Sequence, residues 1–401
     1  MRDRQPTFLN KHILLIAFSH AVTDLSAGAL PILLPFFKST FALTYTQVGF
    51  IVLIQNLASS VIQPIFGYLS DRLPLPWLVP AGLLLAGVGT AVTGLAPSYP
   101  ALLAIVIITG LGVATFHPQA AKSVYEVSAM ISRGRSMAIY SLGGNLGQAC
   151  GSVFMMALLA LPGAISNTLY FCLPAIVLSA LLWRDLPQRT AKPAMRPIKK
   201  EKATSTTPMP YRMIFILLMY IFLRTSISAG LVNFIPLYYV DYLGGSHIYA
   251  GYLITGYLLS GVAGTYIGGY LGDRFGRKTI ILLSMLLTLP LLGLFQYTTD
   301  FWAFPVLAAI GFTYIASFSS TIVLAQEMMP GYEALAASLT LGFSIGLGGI
   351  SVALLGYVAD HFGIASVFTV ITLVPPLAFC CAFFLPGRLF KPDHVVAISA
   401  K

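Results

Sequence analysis

The sequence is poor in charged residues. Only 9% of its 401 residues are Asp, Glu, Lys or Arg, whereas 57% are hydrophobic, and the mean hydropathy is +0.84. A soluble globular domain carries about 25% charged residues, so the composition excludes that class and favours a protein that lies largely within a bilayer. The chain has only four cysteines, all within apolar segments and without metal-ligand spacing, which favours buried packing thiols.

Catalytic signatures are also missing from the sequence. It contains no H-E-x-x-H, no G-x-S-x-G and no nucleotide-binding fingerprint. No soluble segment is long enough to form an ATPase domain. We therefore expect a protein that is not an enzyme and that uses no cofactor and no metal.

Twelve apolar runs of roughly 20 residues follow one another along the chain, the length that spans a bilayer as a helix. They are continuous rather than alternating with a period of two, which favours helices over a β-barrel. The first run continues without a clear cleavage site, so we interpret it as an uncleaved span. The predicted fold class is an all-α membrane protein with twelve transmembrane helices. The predicted spans are 12–37, 45–69, 77–96, 99–123, 135–161, 165–183, 212–240, 248–270, 279–297, 301–325, 334–359 and 363–386.

The cations are distributed unevenly between the two sides that these spans create. Apart from Lys38 and Arg224, every Lys and Arg falls on the side of the two termini. By the positive-inside rule both termini are predicted to be cytoplasmic, in a multi-pass protein of a bacterial inner membrane. The net charge of +10 then follows from topology, and no nucleic-acid partner is expected. The expected partners are membrane lipid, protons and a small anionic solute, with a monomeric protein.

Residues 185–210 interrupt the apolar pattern with a stretch rich in Lys, Arg and Pro. We interpret this stretch as a basic cytoplasmic linker between six-helix bundles at 1–184 and 211–401. The bundles repeat at a fixed offset of 202, because "GYLSDR" at 67–72 matches "GYLGDR" at 269–274. The same offset relates Phe116 to Phe318 and Gly144 to Gly346. A parallel duplication of this kind places substrate sites between the repeats, near the bilayer midplane.

One loop has a more specific signature. "GYLGDRFGRK" at 269–278 fits G-x-L-x-D-R-x-G-R-K and resembles the signature of the major facilitator superfamily, which repeats it after its second and eighth helices. The copy at 67–76 ends in Leu-Pro-Leu-Pro instead of G-R-K. Within that superfamily, "SHAVTDLSAGALPILLP", "FHPQAAK" and "GGNLGQACG" resemble the fosmidomycin-resistance branch, a group of drug exporters. The resemblance implies a secondary transporter of the major facilitator fold.

The superfamily resemblance also implies a conformational latch on the cytoplasmic side. In this reading Glu126 and Glu327, at the ends of the fourth and tenth spans, accept charge from Arg72 and Arg274. The latch of the first copy is expected to be weaker, because that copy lacks its last two cations. The predicted latch residues are Asp71, Arg72, Glu126, Asp273, Arg274, Arg277, Lys278 and Glu327.

Several polar residues lie deep in the apolar spans, and none of the charges among them has a charged counterpart at the offset of 202. Asp24 corresponds to Ser226, and Arg224 corresponds to Val22. An ionised side chain at the centre of a spanning helix costs about 2.5–3.5 kcal/mol, so a scaffold alone does not explain these groups. We predict Asp24 and His20, which project from one helix face, as the proton-coupling site. The predicted substrate-binding residues are Arg224, His117, Asn145, Gln148, Asn56, Gln63 and Asn233.

Three functions remain open at this point. The first is a proton-coupled antiporter that exports small anions such as phosphonate antibiotics, with Arg224 as a planar fork for the anion. The second is a proton-coupled symporter that takes up an organic anion through the same residues. The third, from another class, is a lipid-handling or receptor-like membrane protein. Asp24 and Arg224 could also form a purely structural ion pair.

Overall fold

The protein folds as a bundle of long helices, with no strand among the residues that the structure describes. The computed structural model describes residues 11–73, 75–127, 133–185, 211–298, 300–329 and 333–387. Short 3₁₀ turns join several of the helices. The α-helices are α1 (Lys11–Thr40), α2 (Tyr45–Ser60), α3 (Gln63–Arg72), α4 (Leu78–Val92), α5 (Tyr99–Val127), α6 (Arg133–Leu159), α7 (Cys172–Asp185), α8 (Tyr211–Leu237), α9 (His247–Phe275), α10 (Arg277–Phe295), α11 (Ala303–Ile315), α12 (Ser317–Met328), α13 (Glu333–Phe362) and α14 (Ala365–Phe383).

The helices confirm a multi-pass membrane protein. Eleven segments of the described chain are long and apolar enough to cross a bilayer. The one predicted span that is not among these eleven is the eighth, 248–270, which corresponds to α9, a helix of 29 residues. Its glycine and tyrosine content keeps it below the hydropathy of the other spans, although its length suffices to cross the hydrocarbon core.

Two predicted spans consist of two helices rather than one. The second span breaks at Val61 and Ile62, between α2 and α3. Pro64 follows this break, and proline lacks the N–H that a continuous helix needs. The tenth span breaks at Ala316, between α11 and α12, where the Ser317 hydroxyl donates to the Tyr314 carbonyl at 3.0 Å. Such side-chain bonds compete with the regular ladder of a helix.

Glycine residues let α1 and α6 pack with their backbones in contact. A side chain at Gly147 would collide with the backbone of Ala21, and one at Gly151 would collide with Leu25 and Gly28. The Ser152 hydroxyl donates to the Gly28 carbonyl at 2.7 Å across the same contact. The small-residue spacing of these glycines therefore serves close helix packing.

A second glycine contact joins the two parts of the chain. α2 packs against α13 so closely that a Cβ at Gly49 would lie 2.7 Å from the Cα of Ala353. A Cβ at Gly356 would meet the backbone of Tyr45 and Thr46 equally closely. The beginning of α2 therefore lies directly against the end of α13.

Asp360, near the end of α13, completes the N-terminus of α2. Its carboxylate accepts hydrogen bonds from the Tyr45 N–H at 2.6 Å and the Thr46 N–H at 2.8 Å, and from the Thr46 hydroxyl at 2.6 Å. Thr44 and Gln47 cap the same helix with a reciprocal capping box. The first amides of a helix have no partner within it and attract negative charge. Asp360, 315 positions after Tyr45, supplies both the hydrogen-bond acceptors and the negative charge.

An ion pair lies at the same end of the bundle. Lys38, at the end of α1, pairs with Asp241 at 3.1 Å, and its ammonium group lies 4.4 Å from the centre of the Tyr45 ring. Asp241 belongs to a π-helical turn, Tyr238–Tyr242, that continues α8. Phe36 stacks on His247 nearby, with ring centres 4.2 Å apart. We call this the Asp360 end, defined by Lys38, Tyr45, Asp241, His247 and Asp360, and there residues 11–185 are fastened to residues 211–387.

The second signature loop forms a different set of ion pairs from the predicted one. Glu327 pairs with Arg277 at 3.8 Å, and Arg277 also pairs with Asp273. Arg274, the predicted partner of Glu327, instead lies over the ring of Phe275. The prediction is wrong because the chain turns at Gly276, with φ of +97°, so that Arg277 begins α10 and faces back toward α9 and α12.

The remaining latch predictions have separate outcomes. Lys278 donates to the Phe383 carbonyl at 2.6 Å and therefore binds the end of α14 rather than an acid. Glu126 is exposed near the end of α5. The side chains of Asp71 and Arg72 lie outside the described residues, as does the linker from 186 to 210. The two-bundle division at 185–210 stays a prediction.

We expect Asp360→Ala to loosen the Asp360 end. The substitution removes three hydrogen bonds at a helix N-terminus, and caps of this kind contribute about 1 kcal/mol, which is roughly a fivefold change in a conformational equilibrium. Spin labels at Thr40→Cys and Leu243→Cys, in a background with the four native cysteines replaced by serine, report the separation by pulsed electron resonance. The distance distribution is expected to broaden toward longer distances.

Lys11→Gln is the matched control. It removes the Lys11–Asp185 ion pair of 3.7 Å, which lies at the other end of the bundle and joins two residues of the same part of the chain. The control should leave the distribution unchanged. An identical distribution in Asp360→Ala and in the parent protein would contradict a fastening role for Asp360.

Candidate functional site

Three titratable side chains meet between α1 and α5. The Asp24 carboxylate lies between two imidazoles, with its Oδ2 3.2 Å from His20 Nε2 and its Oδ1 3.0 Å from His117 Nε2. The side chains of Asp24 and His117 are 18% and 22% exposed, and His20 is buried. We call His20, Asp24 and His117 the triad. The structure thus joins both predicted proton-coupling residues with one of the predicted substrate-binding residues.

The depth of the triad follows from its position in α1. Asp24 lies thirteen residues after Lys11, the first residue of a helix of 30 residues, which is about 20 Å along the helix axis. The i, i+4 spacing of His20 and Asp24 puts both side chains on the face of α1 that packs against α5 and α6. Carboxylate and imidazole groups at such depth require partners, because the surrounding hydrocarbon provides none.

Tyr140 of α6 contacts His20 both through its backbone carbonyl and through its ring. The His20 Nδ1 lies 2.8 Å from the Tyr140 carbonyl oxygen. The two rings stack with centres 4.0 Å apart and an angle of 17° between their planes. The Tyr140 hydroxyl donates to the His117 carbonyl at 3.4 Å, so one residue contacts both histidines of the triad.

Gly144 makes room for this arrangement. A Cβ at position 144 would collide with the His20 imidazole and would lie 2.7 Å from Asp24 Oδ2. The repeat-related Gly346 has a different environment, because its nearest neighbour is the Ser60 hydroxyl at 3.3 Å. Only the first copy of this duplicated glycine therefore makes room for ionisable groups.

The donor atoms of the triad are also close enough to one another to hold an ion. One ligand atom from each of His20, Asp24 and His117 lies within 4.8 Å of the others. Two imidazoles and a carboxylate suit a divalent transition metal as well as protons. A divalent ion would compete with protons for these atoms, so a test of proton coupling has to include a chelator.

Arg224 occupies a separate cluster in the second half of the chain. It lies thirteen residues after Tyr211 in α8, the same offset as that of Asp24 in α1. The side chain is only 6% exposed, and its Nε donates to the Ser317 hydroxyl at 3.2 Å. The guanidinium carbon lies 4.8 Å from the centre of the Tyr314 ring and 5.2 Å from that of Phe318. Cation–π contacts of this kind partly replace water around a buried cation.

Two tyrosines hold the Arg224 segment in place. The Tyr314 hydroxyl donates to the Arg224 carbonyl at 2.6 Å, and the Tyr220 hydroxyl donates to Ser317 at 3.4 Å. Ser317 begins α12, so the break at Ala316 delivers a hydroxyl to the arginine. The cluster fixes the position of the guanidinium group without neutralising its charge.

The structure does not bring Arg224 into the triad. Among the described residues, no carboxylate lies within 4.0 Å of Arg224, and the ion-pair partners of Asp24 are the two histidines. A purely structural Asp24–Arg224 ion pair is therefore wrong for this structure. Each half of the chain instead carries one charge of its own at a similar depth.

The predicted amide residues take varied positions. Asn233 is buried, and its Nδ2 donates to the Ala229 carbonyl at 2.8 Å, one turn earlier in the same helix. Asn145 and Gln148 are exposed on α6, and Asn56 and Gln63 are half-buried on α2 and α3. Among the described residues, no hydrogen bond joins these amides to the triad or to Arg224. Their substrate-binding role stays a prediction.

Sequence reasoning missed Tyr140, Ser317 and Tyr314. Each is an uncharged residue in an apolar span, so the search for deep charges passed over it. Ser317 and Phe318 lie at +202 from Thr115 and Phe116, the residues that precede His117. The repeat could therefore have indicated that this segment faces the functional region in both halves.

Comparisons with known proteins agree with this architecture. A sequence model of the Major Facilitator Superfamily matches residues 16–330 and, in a second match, residues 214–396. The fosmidomycin resistance protein of Escherichia coli (strain K12) is 32% identical over 388 residues, which cover 94% of this chain and 93% of that protein. The uncharacterized MFS-type transporter YfnC of Bacillus subtilis (strain 168) is 33% identical over 382 residues, with 94% and 92% covered.

A solved structure shares the fold. The crystal structure of a bacterial homologue of the human lysosomal transporter Spinster, in an inward-facing and unoccupied conformation, superposes with a TM-score of 0.80 at 16% identity. The match covers 94% of this chain and 97% of that chain. At this identity the likeness shows the fold alone.

We expect Gly144→Ala to destabilise the protein. The added methyl group would enter the space of the His20 ring and the Asp24 carboxylate, and overpacking of this kind costs about 1–3 kcal/mol. The thermal unfolding midpoint in detergent should fall by several degrees. Gly346→Ala, at the repeat-related position, should change it far less, because a hydroxyl at 3.3 Å can move aside. Equal losses in the two variants would contradict the crowding described for Gly144.

Proposed function

Because the chain belongs to the major facilitator superfamily, we propose that it is a proton-coupled antiporter that exports small anionic compounds, with phosphonates such as fosmidomycin as the first candidates. It acts in this proposal as a multi-pass protein of a bacterial inner membrane, with both termini and the 185–210 linker in the cytoplasm. The observation that carries the proposal is a protonatable triad in one half of the chain together with an arginine in the other half that has no acid partner among the described residues.

The triad is the proton site of the proposal. Asp24 contacts only histidines among the described ionisable residues, so no permanent cation neutralises its charge. The negative charge of such a carboxylate is removed when the carboxylate itself takes up a proton, and it is balanced when a neighbouring imidazole takes up the proton instead. The number of bound protons therefore decides whether the triad carries net charge within the membrane.

Arg224 is the anion site of the proposal. Its guanidinium is planar and permanently charged, and it offers a fork of N–H donors that matches phosphonate and carboxylate oxygens. Within the described residues only its Nε has a hydrogen-bond acceptor, Ser317. In this proposal the remaining N–H donors of Arg224 bind the anion. The rings of Tyr314 and Phe318 favour an anion with an apolar organic part, which agrees with what the E. coli relative's name says it confers resistance to.

The two sites are coupled through conformation in this proposal rather than through direct contact. Asp24 lies on α1 and Arg224 lies on α8, and these two helices pack together. Lys38 near the end of α1 pairs with Asp241 in the π-helical turn that continues α8. If the termini are cytoplasmic, the Asp360 end lies on the periplasmic side. While this end is fastened, the substrate can enter only from the cytoplasm. Release of the anion then requires this end to open and the opposite end to close.

The first test measures transport of radiolabelled fosmidomycin into everted membrane vesicles, with and without an imposed proton gradient. Wild-type vesicles should accumulate the compound, and a protonophore should abolish the accumulation. EDTA should not affect it, which excludes a metal-driven exchange at the triad. Accumulation in right-side-out vesicles instead would support the uptake symporter, and no gradient-driven accumulation in either orientation would contradict the proposal.

Two substitutions should impair transport in different ways. Arg224→Ala removes charge-assisted hydrogen bonds that contribute about 1.5–3 kcal/mol, so fosmidomycin should bind roughly 10- to 100-fold more weakly. Asp24→Asn should keep binding and solute exchange but lose accumulation driven by the gradient. Arg212→Gln is the matched control for Arg224, because Arg212 is an exposed cation near the start of the same helix. Unchanged coupling in Asp24→Asn would contradict the proton role of Asp24.

A further inference from the structure

We infer that Tyr140 is a positioning residue that confines the exchangeable proton to the space between His20 Nε2 and Asp24 Oδ2. The inference deepens the proposed function and depends on it, because it specifies where in the triad the transported proton binds. It follows from the geometry of three hydrogen-bonding contacts.

The first step concerns the tautomer of His20. Its Nδ1 lies 2.8 Å from the Tyr140 carbonyl oxygen. A carbonyl oxygen accepts hydrogen bonds and cannot donate them, so Nδ1 carries the hydrogen. In the neutral imidazole only one ring nitrogen carries a hydrogen, which leaves Nε2 with its lone pair.

The second step concerns what this lone pair faces. His20 Nε2 lies 3.2 Å from Asp24 Oδ2. An ionised carboxylate is also only an acceptor, so a neutral His20 would oppose two lone pairs in a buried setting, where repulsion is weakly screened. One additional proton, either on Nε2 or on the carboxylate, converts this repulsion into a hydrogen bond.

The third step separates the two histidines. His117 Nε2 lies 3.0 Å from the other oxygen, Asp24 Oδ1. Among the described residues, no partner fixes the second ring nitrogen of His117. His117 can therefore donate its Nε2–H to Asp24 while it is neutral, and this contact is favourable with or without the exchangeable proton. The requirement for a proton is specific to the His20 side of the triad.

Tyr140 maintains this difference in two ways. Its ring stacks on the imidazole at 4.0 Å, which holds the ring plane, and its carbonyl holds Nδ1. The side chain is 6% exposed and its hydroxyl reaches the His117 carbonyl on α5, so the ring is itself held from two helices. Gly144, one turn later, leaves the space through which His20 reaches this carbonyl.

Among the described residues, no permanent cation near the His20–Asp24 pair could take the place of the proton. The titratable side chains that contact the His20–Asp24 pair are His117 on α5 and Tyr140 on α6. Phe116 of α5 packs against His20 as well. Among the described residues, no Lys or Arg lies within 4.0 Å of Asp24. When the proton leaves, His20 and Asp24 have to move apart, and this separation is the local event that proton release produces.

The test compares the pH dependence of fosmidomycin transport in Tyr140→Leu, Tyr140→Phe and wild type, with EDTA present throughout. In Tyr140→Leu the carbonyl of residue 140 remains but the stacked ring is lost. The imidazole can then shift away from that carbonyl, carry its hydrogen on Nε2 and donate it to Asp24, which stabilises the deprotonated pair. The midpoint of the pH profile should therefore move about one unit lower, a tenfold change in the proton concentration at half-maximal transport. Tyr140→Phe keeps the stacked ring and should restore the wild-type midpoint. A Tyr140→Leu midpoint equal to that of wild type would overturn the inference.

A second pair of variants keeps the inference testable if Tyr140→Leu does not fold, as judged by size-exclusion chromatography and thermal unfolding. His20→Gln should abolish the pH dependence, whereas His117→Gln should slow transport and retain it. The reverse order, or equal loss in both, would overturn the role of the His20 side. If wild-type vesicles show no gradient-driven transport at all, the proposed function fails first, and the two failures are thereby distinguished.

Discussion

The close approach of α1 and α6 is the contact on which the chemistry of this protein depends. Backbone lies against backbone along Gly143, Gly147 and Gly151, and this proximity brings the Tyr140 carbonyl within reach of His20. A larger residue at these positions would push the helices apart by more than the length of a hydrogen bond tolerates. The triad is thus a product of helix packing, since its geometry is determined by the residues that have no side chain.

The internal repeat separates the residues that both halves share from those that only one half carries. The scaffold features, such as the signature loops and the paired glycines at 144 and 346, occur in both halves. The deep ionisable residues occur once each, with Asp24 and its histidines in the first half and Arg224 in the second. Each half of the duplicated fold has therefore acquired one type of charge, and the fold brings both to a similar depth in the membrane.

Much of this architecture could be predicted from the sequence. The length of the apolar runs indicated the helices, and the i, i+4 spacing indicated that His20 and Asp24 act together. The sequence also singled out His117 as a candidate, although only the fold shows that it contacts the opposite oxygen of Asp24. These successes depend on periodicity and on the high free energy of charge in hydrocarbon, both of which are local properties.

The rest could not be predicted, for reasons that are equally physical. Tyr140 contributes a backbone carbonyl, which every residue possesses, so its identity gave no indication of the contact with His20. The partner of Glu327 depends on a turn at Gly276 that redirects Arg277, and a shift of one helical turn exchanges one arginine for another. Lys38 stood out as the exceptional cation of its side, but its partner Asp241 lies in a π-helical turn some two hundred residues later, where no sequence pattern relates the two.

The cap that Asp360 places on α2 has a consequence for the assembly of the protein in the membrane. During synthesis α2 is inserted long before α13 emerges from the ribosome, so the Tyr45 and Thr46 amides first meet water or lipid headgroups instead of a carboxylate. The capping box of Thr44 and Gln47 is local and is available at once. The beginning of α2 is therefore stabilised in two stages, and the second stage is reached only when nearly the whole chain has been inserted.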